Sequence, residues 1–325
     1  MKISLHMQFR TEVPLVKSHF PIFYKSKIFL IGSCFAENIG EKFEYFKFKN
    51  QVNPFGIIFN AVSIEKLIRR VVEKRCFTEK DIFYHNEAWH CFEVHSELSN
   101  LDKEDFINHL NRLIDETHAQ LKEFSHFVIT LGTSWVYRDV VSGEIVANCH
   151  KVPQKQFAKE LLSVEIVEKS IQNIIQLVAS INANAKFTFT VSPVRHIKDG
   201  FVENQVSKAN LLLAVYNVVN QKSSIANYFP SYEIMMDELR DYRFYAEDML
   251  HPNPTAIDYI WIKFFENFVE EKEFATMQKV CDIQKALHHR PFNSNSESHQ
   301  KFLKNLELKI LDLEKSNESI RFKNR

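Results

Sequence analysis

The sequence predicts an α/β protein built on a parallel sheet, and three features carry the prediction. Short apolar runs alternate with long amphipathic stretches through the middle of the chain, which is the pattern of βα units. Runs at 28–31, 126–131 and 187–191 read as central strands. The first passes straight into Gly32-Ser33-Cys34 and a helical pattern with Phe35, Ile39, Phe43 and Phe46 on one face. A serine hydroxyl is thereby placed at the carboxyl edge of the sheet, where a doubly wound fold binds its ligands.

The remaining elements follow in order. A helix is expected over 63–72 with Ser63 as its cap, and the alternation over 83–94 reads as a β-hairpin. Phe106, Leu110, Leu113, Ile114 and Leu121 mark a helix over 102–124. After the strand at 126–131, residues 135–149, broken by Ser142-Gly143, read as an inserted hairpin. A long helix over 161–184 leads into the strand at 187–191, which ends at Ser192-Pro193. Residues 205–222 are helical, 228–236 offer one more strand, and 255–268 form a helix introduced by Pro252 and Pro254. The strand ends at Ser33, Gly132 and Ser192, with the loop around Asp248, should gather on one edge.

Near residue 272 the texture changes. Residues 1–272 are expected to form the compact domain, and 273–325 a polar linker followed by a C-terminal helix. Leu303, Leu306, Ile310 and Leu313 recur at alternating three- and four-residue steps. Such a seam packs on the main domain or, as a homo-oligomer contact, on a second copy.

Composition excludes several classes. The chain has 325 residues, 45 % hydrophobic and 25 % charged, with 41 basic against 41 acidic side chains. That balance gives no field to concentrate nucleic acid or an anionic membrane. The 29 Phe supply core, while only 6 Gly exclude glycine-rich low complexity. No apolar run is long enough to span a bilayer, and the opening residues lack the apolar stretch of a signal peptide. Five cysteines without paired spacing suit a reducing compartment, so a cytoplasmic location is expected.

Chemistry concentrates in two places. Ser33 sits at a helix N-terminus, where free N–H groups favour developing negative charge. Far downstream, Asp248-Met249-Leu250-His251 sets a carboxylate and an imidazole three residues apart. Together they make a Ser-His-Asp relay in the chain order nucleophile, acid, base. Their bland readings are a helix cap for Ser33 and a local turn for Asp248 and His251. Cys34 shares the helix N-terminus but should turn inward to the core. His85, His90, Cys91 and His95 invite a metal reading, yet alternate residues of one strand point to opposite faces. Polar residues of a hairpin are the simpler account, and no metal or organic cofactor is called for.

Gly32-Ser33-Cys34-Phe35-Ala36, with Asn53-Pro54-Phe55-Gly56 and Leu131-Gly132-Thr133-Ser134-Trp135, resembles the GSCFA-domain proteins, bacterial relatives of the SGNH (GDSL-like) hydrolases. The likeness extends through 148–153, Ser192-Pro193-Val194-Arg195-His196 and His251-Pro252-Asn253, and covers roughly residues 8–270. It implies a three-layer α/β/α, flavodoxin-like fold and an esterase or acyltransferase working through an acyl-enzyme. It also implies roles: Ser33 as nucleophile, Asp248 and His251 as its relay, and an oxyanion hole from the N–H groups of Ser33 and Gly56. The third sequence block of the SGNH enzymes ordinarily supplies an asparagine; here it reads Gly132-Thr133-Ser134-Trp135. A hydroxyl of Ser134 or Thr133 would have to stand in, or the carboxamide of Asn53 or Asn60. Arg195 and His196 follow a central strand and either grip the substrate or cap the sheet. Trp135 and Tyr137 form a platform for a sugar or pack on the domain. An ester of a small molecule or carbohydrate, with an acetylated carbohydrate tested first, is the expected substrate. The competing class is a catalytically silent binding or assembly module on the same fold.

Overall fold

A computed structural model describes residues 10–322. Its centre is a five-stranded sheet in the order β10-β9-β5-β1-β2, every neighbouring pair parallel. The strands are β1 (Lys27–Gly32), β2 (Lys49–Val52), β5 (His126–Leu131), β9 (Lys186–Val191) and β10 (Ala226–Tyr228). β2 lies on one side of β1 and β5, β9 and β10 lie on the other, the flavodoxin-like order with its switch point between β1 and β5.

Alternation along these strands feeds two cores, one on each face. On β1, Phe29 and Ile31 join one core while Ile28 and Leu30 join the other. The first face is covered by α2 (Ala61–Val72), α3 (Lys103–Leu121), α4 (Val164–Ile181) and α5 (Phe201–Gln221). The second is covered by α1 (Cys34–Tyr45), α7 (Pro254–Phe268), α8 (Phe274–His288) and α9 (Glu297–Ser316). The result is three layers, α/β/α. Phenylalanine fills both cores: Phe127 stacks on Phe187 at 5.3 Å, and Phe43 meets Trp261 edge-on at 5.0 Å.

Two small antiparallel pieces decorate the first face: a hairpin of β3 (Phe83–His85) and β4 (Ala88–His90), and the sheet β7-β6-β8. In the latter, β6 (Trp135–Asp139) pairs with β7 (Ile145–Val146) as the expected hairpin and also with β8 (Phe157–Leu161). The third strand shortens the helix expected from residue 161, which starts at Val164 under a Ser163 cap.

Three further expectations need correction. Residues 228–236 are not one strand: β10 stops at Tyr228, Pro230 follows, and α6 (Ser231–Glu233) runs into a π-helical turn, Ile234–Glu238. Ser63 does not cap α2; Asn60 does, its Oδ1 accepting the Ser63 N–H at 2.8 Å. The chain after residue 272 opens with α8, a full helix, before the polar link to α9. Of the C-terminal seam, Leu306 and Leu313 are buried in the second core beside α1, α7 and α8. Those two side chains are therefore used inside the chain.

The five cysteines are all unbridged. Among the described residues no helix is long and apolar enough to cross a membrane.

Candidate active site

The turn from β1 into α1 is held by backbone hydrogen bonds on every side. Gly32 sits at φ +144°, and its N–H donates to Asn53 Oδ1 at 2.9 Å. The Ser33 N–H donates to the Thr130 carbonyl at 3.1 Å. Ser33 caps α1, its Oγ accepting the Phe35 N–H at 3.3 Å, and only 2 % of the residue is exposed. The serine thus stands at the strand-to-helix turn as predicted, but beneath the surface and engaged as a cap.

The second half of the relay forms in the loop between the π-helical turn and α7. Asp248 Oδ1 accepts the N–H of Leu250 at 2.9 Å and of His251 at 3.0 Å, while Oδ2 meets His251 Nδ1 at 2.5 Å. The His251 N–H first, with the Leu250 N–H and the imidazole, pulls the Asp248 carboxyl down to about 2 against an opposing desolvation effect. Fixing Nδ1 leaves Nε2 for a reacting proton. Asn253 closes the loop by capping α7 and donating to the carbonyls of Phe244 and Arg243.

Arg195 fastens this loop to the end of β9. Its N–H reaches the Leu250 carbonyl at 3.5 Å, and Nη2 donates to the carbonyl of Met249, a residue at φ +59°. The guanidinium lies over Tyr245 at 4.6 Å and Tyr242 at 5.5 Å. Arg195 therefore fastens the loop carrying His251, and it also lines the cavity beside that loop.

A cavity of about 370 Å³ opens beside the loop, lined by His251, Asn60, Thr133, Trp135, Tyr137 and His196 among others. It gathers residues from strand ends that are far apart in sequence. Ser33 is not among its lining residues. Of the expected oxyanion donors, the Gly56 N–H is taken by the Asn53 carbonyl at 2.8 Å and the Ser33 N–H by Thr130. Ser134 is fully buried and gives its hydroxyl proton to the Ser207 carbonyl at 3.1 Å. The Asn53 amide bonds Glu37 Oε1 at 3.3 Å, so this carboxamide bridges Gly32 and α1.

Sequence reasoning missed the group that shapes this edge. Three residues of α5, Asn204, Ser207 and Lys208, are buried against the ends of β5 and β9. Asn204 Oδ1 accepts the His196 N–H, and Ser207 Oγ accepts the Ser134 N–H, both at 2.8 Å. Lys208 Nζ donates to the carbonyls of Gly132 at 2.7 Å and Ser192 at 2.8 Å. Burial brings its ammonium down to about 7. The only sequence signal was the i, i+3, i+4 spacing of polar residues on the face of a helix that must bury something.

That grip has a consequence for the cavity. A trans peptide points its N–H opposite its C=O. With the Gly132 carbonyl held by Lys208, the Thr133 N–H is turned the other way, and it makes no hydrogen bond among the described residues. Asn60 Oδ1 is used in its cap, and its Nδ2 is likewise without a partner there. Thr133 and Asn60, joined through the bond from the Gly132 N–H to the Phe59 carbonyl at 2.8 Å, therefore offer two donors on one wall.

Trp135 donates its indole N–H to the Glu203 carbonyl at 3.1 Å, with Lys159 over the ring at 4.7 Å. Cys34 is half-buried, and burial followed by the Glu37 carboxylate raises its thiol, the wrong direction for a thiolate nucleophile. In the hairpin region, His90 bonds Ser99 Oγ at 2.6 Å and the His85 carbonyl at 2.9 Å, and His150 bonds the Cys91 carbonyl at 2.7 Å. Among the described residues no group of three or more His, Cys, Asp or Glu is arranged to hold a metal ion.

Two histidines, His150 buried and His196 half-buried on the cavity wall, make stability pH-dependent. Burial first, then the charges of Lys208 and His251, brings His196 down to about 3; burial brings His150 down to about 4. Both stay neutral in the fold while the unfolded chain takes up protons near pH 6.5, so the unfolded state binds more protons below that value. Stability accordingly falls as pH drops from about 6.5 towards 4, each histidine contributing up to ~1.4 kcal/mol per pH unit. Urea unfolding at pH 7 and 4.5 should show the loss, and His150→Asn/His196→Asn should flatten it.

Comparison with known proteins adds one finding. The model of the GSCFA family matches residues 27–264, and that of the GSCFA domain protein, C-terminal domain, matches residues 280–325. A search of curated proteins gives no match.

Proposed function

The chain belongs to the GSCFA family, and from that premise we propose that it is a serine hydrolase of the SGNH type, an esterase or acyltransferase acting on an O-acyl ester. The observation that carries the reading is the Asp248–His251 pair at 2.5 Å, whose imidazole residue lines a cavity that is also lined by Asn60 and Thr133. A carboxylate that stays ionised far below neutrality, holding Nδ1, is what an imidazole needs to act as a base through Nε2.

On this reading Ser33 Oγ rotates out of its cap, which costs about 1 kcal/mol, and attacks the ester carbonyl carbon. Its proton passes to His251 Nε2 as the new C–O bond forms, and Asp248 stabilises the imidazolium. The carbonyl oxygen becomes an oxyanion met by the Thr133 N–H and Asn60 Nδ2; each such donor contributes on the order of 3 kcal/mol. Collapse breaks the ester C–O bond, and the alcohol leaves with the proton from His251. Water, or a second alcohol, then repeats the sequence on acyl-Ser33. Lys208 acts through the Gly132 carbonyl and is a positioning residue.

The second reading, a binding module without chemistry, is favoured by one observation: Ser33 is 2 % exposed and engaged as a helix cap. Turnover of a soluble aryl ester separates the two. The hydrolase reading expects activity that falls by ~10⁴-fold or more in Ser33→Ala. A folded protein that turns over no ester would leave the binding module.

A further inference from the structure

The cavity beside His251 is too large and too apolar for the acetyl ester that the family resemblance implies. Its volume is about 370 Å³. At roughly 30 Å³ per small group of liquid-like matter, that is space for about a dozen non-hydrogen atoms. Phe59, Tyr137, Val146, Val194 and Ile197 supply carbon walls, and Trp135 adds an indole whose N–H is already satisfied by Glu203; the charged lining residues Arg195, Lys198 and Asp199 all come from the chain just after β9. Filled by acetyl, most of the space would hold water against those walls, which is unfavourable.

The polar groups of the cavity explain how such a chain would be oriented. Asn60 and Thr133 lie at the ends of the sheet with His251, whereas Trp135, Tyr137 and Val146 belong to the β6–β7 hairpin that extends beyond it. A carbonyl addressed by the first group leaves its substituent to the second. Lys159, paired with Asp199 at 2.6 Å, covers the outer indole.

We propose that this cavity takes the acyl half of the substrate, and that this half is a hydrophobic chain of roughly six to ten carbons in place of acetyl. The proposal rests on the serine-hydrolase reading for its kinetics but not for its binding.

Both can be measured on the full chain. With 4-nitrophenyl esters below their micellar concentrations, each added methylene should raise kcat/KM by up to about fourfold. From acetate to octanoate the gain should be at least ~100-fold, with no further rise at laurate as the cavity fills. Ala147→Phe, which fills the cavity wall, should lower the octanoate-to-acetate ratio at least ~10-fold; Ala147→Leu is the milder variant should the larger side chain disturb folding. Binding is read separately by titrating Ser33→Ala with octanoate and following tryptophan fluorescence, a change that Trp135→Phe should remove. Octanoate binding without any ester turnover would keep the acyl cavity and remove the hydrolase. Turnover in which acetate matches octanoate, or a Ser33→Ala protein whose fluorescence ignores octanoate, overturns the proposal.

Discussion

Gly32→Ala destabilises the protein by more than about 4 kcal/mol, enough to remove most of the stability a domain of this kind possesses. Two independent features require the glycine. Its φ of +144° lies outside what L side chains adopt, and a Cβ there would stand 2.1 Å from the carbonyl oxygen of Thr130. That oxygen belongs to the backbone of β5 and accepts the Ser33 N–H, so it cannot move aside without opening the central pairing. Gly143 is the control, because at φ +71° an added Cβ meets nothing within 4 Å. Alanine at 143 should cost about 1–2 kcal/mol from backbone strain alone. Urea denaturation followed by far-UV circular dichroism compares the two, and equal losses would contradict the steric account.

Asp248→Asn should lower ester turnover by ~10⁴-fold while leaving the unfolding midpoint nearly unchanged. The wild-type carboxylate accepts three N–H groups, two from the backbone and one from the imidazole, and is ionised down to about pH 2. An amide keeps the shape but presents an NH₂ to one of those donors. If it turns that group towards Nδ1, the ring proton moves to Nε2, and the base facing the substrate is lost. His251→Ala removes the base outright and should cost at least as much. Because the loop is exposed, neither change creates a cavity, and stability should fall by less than ~1 kcal/mol. Since Asp248 stays charged, any acid limb in the activity profile above about pH 3 must come from another group.

Much of this fold was legible because its central strands are bounded by turn residues and separated by long amphipathic stretches. Gly32-Ser33-Cys34 announced the β1–α1 turn, and Asp248-x-x-His251 announced a carboxylate–imidazole pair that forms at 2.5 Å. Errors fell where periodicity carries too little information. Residues 228–236 are apolar enough for a strand, but Pro230 and the helix-forming run after it place Ile234 and Met235 in the second core from a helical turn. The cap of α2 slipped by three residues because Asn60 and Ser63 are both good capping residues.

The Ser33 and Gly56 N–H groups, two of the expected oxyanion donors, are engaged elsewhere. Whether a backbone N–H is available depends on which carbonyl faces it, and sequence does not say that Asn53 takes the Gly56 N–H. Nor does it mark Lys208, since a lone lysine in a helix ordinarily reaches solvent. Arg195 shows the same limit in reverse. Its position after β9 was read correctly, while its commitment to Met249 and Leu250 follows from a loop more than fifty residues downstream.

The account stands on Ser33 acting as a nucleophile driven by His251. Treating the folded protein with a fluorophosphonate and locating the adduct by mass spectrometry tests this directly. Phosphonylation at Ser33, absent in Ser33→Ala and slowed at least ~10³-fold in His251→Ala, is the predicted result. A folded protein that never reacts at Ser33, or reacts there equally fast without the imidazole, would contradict it.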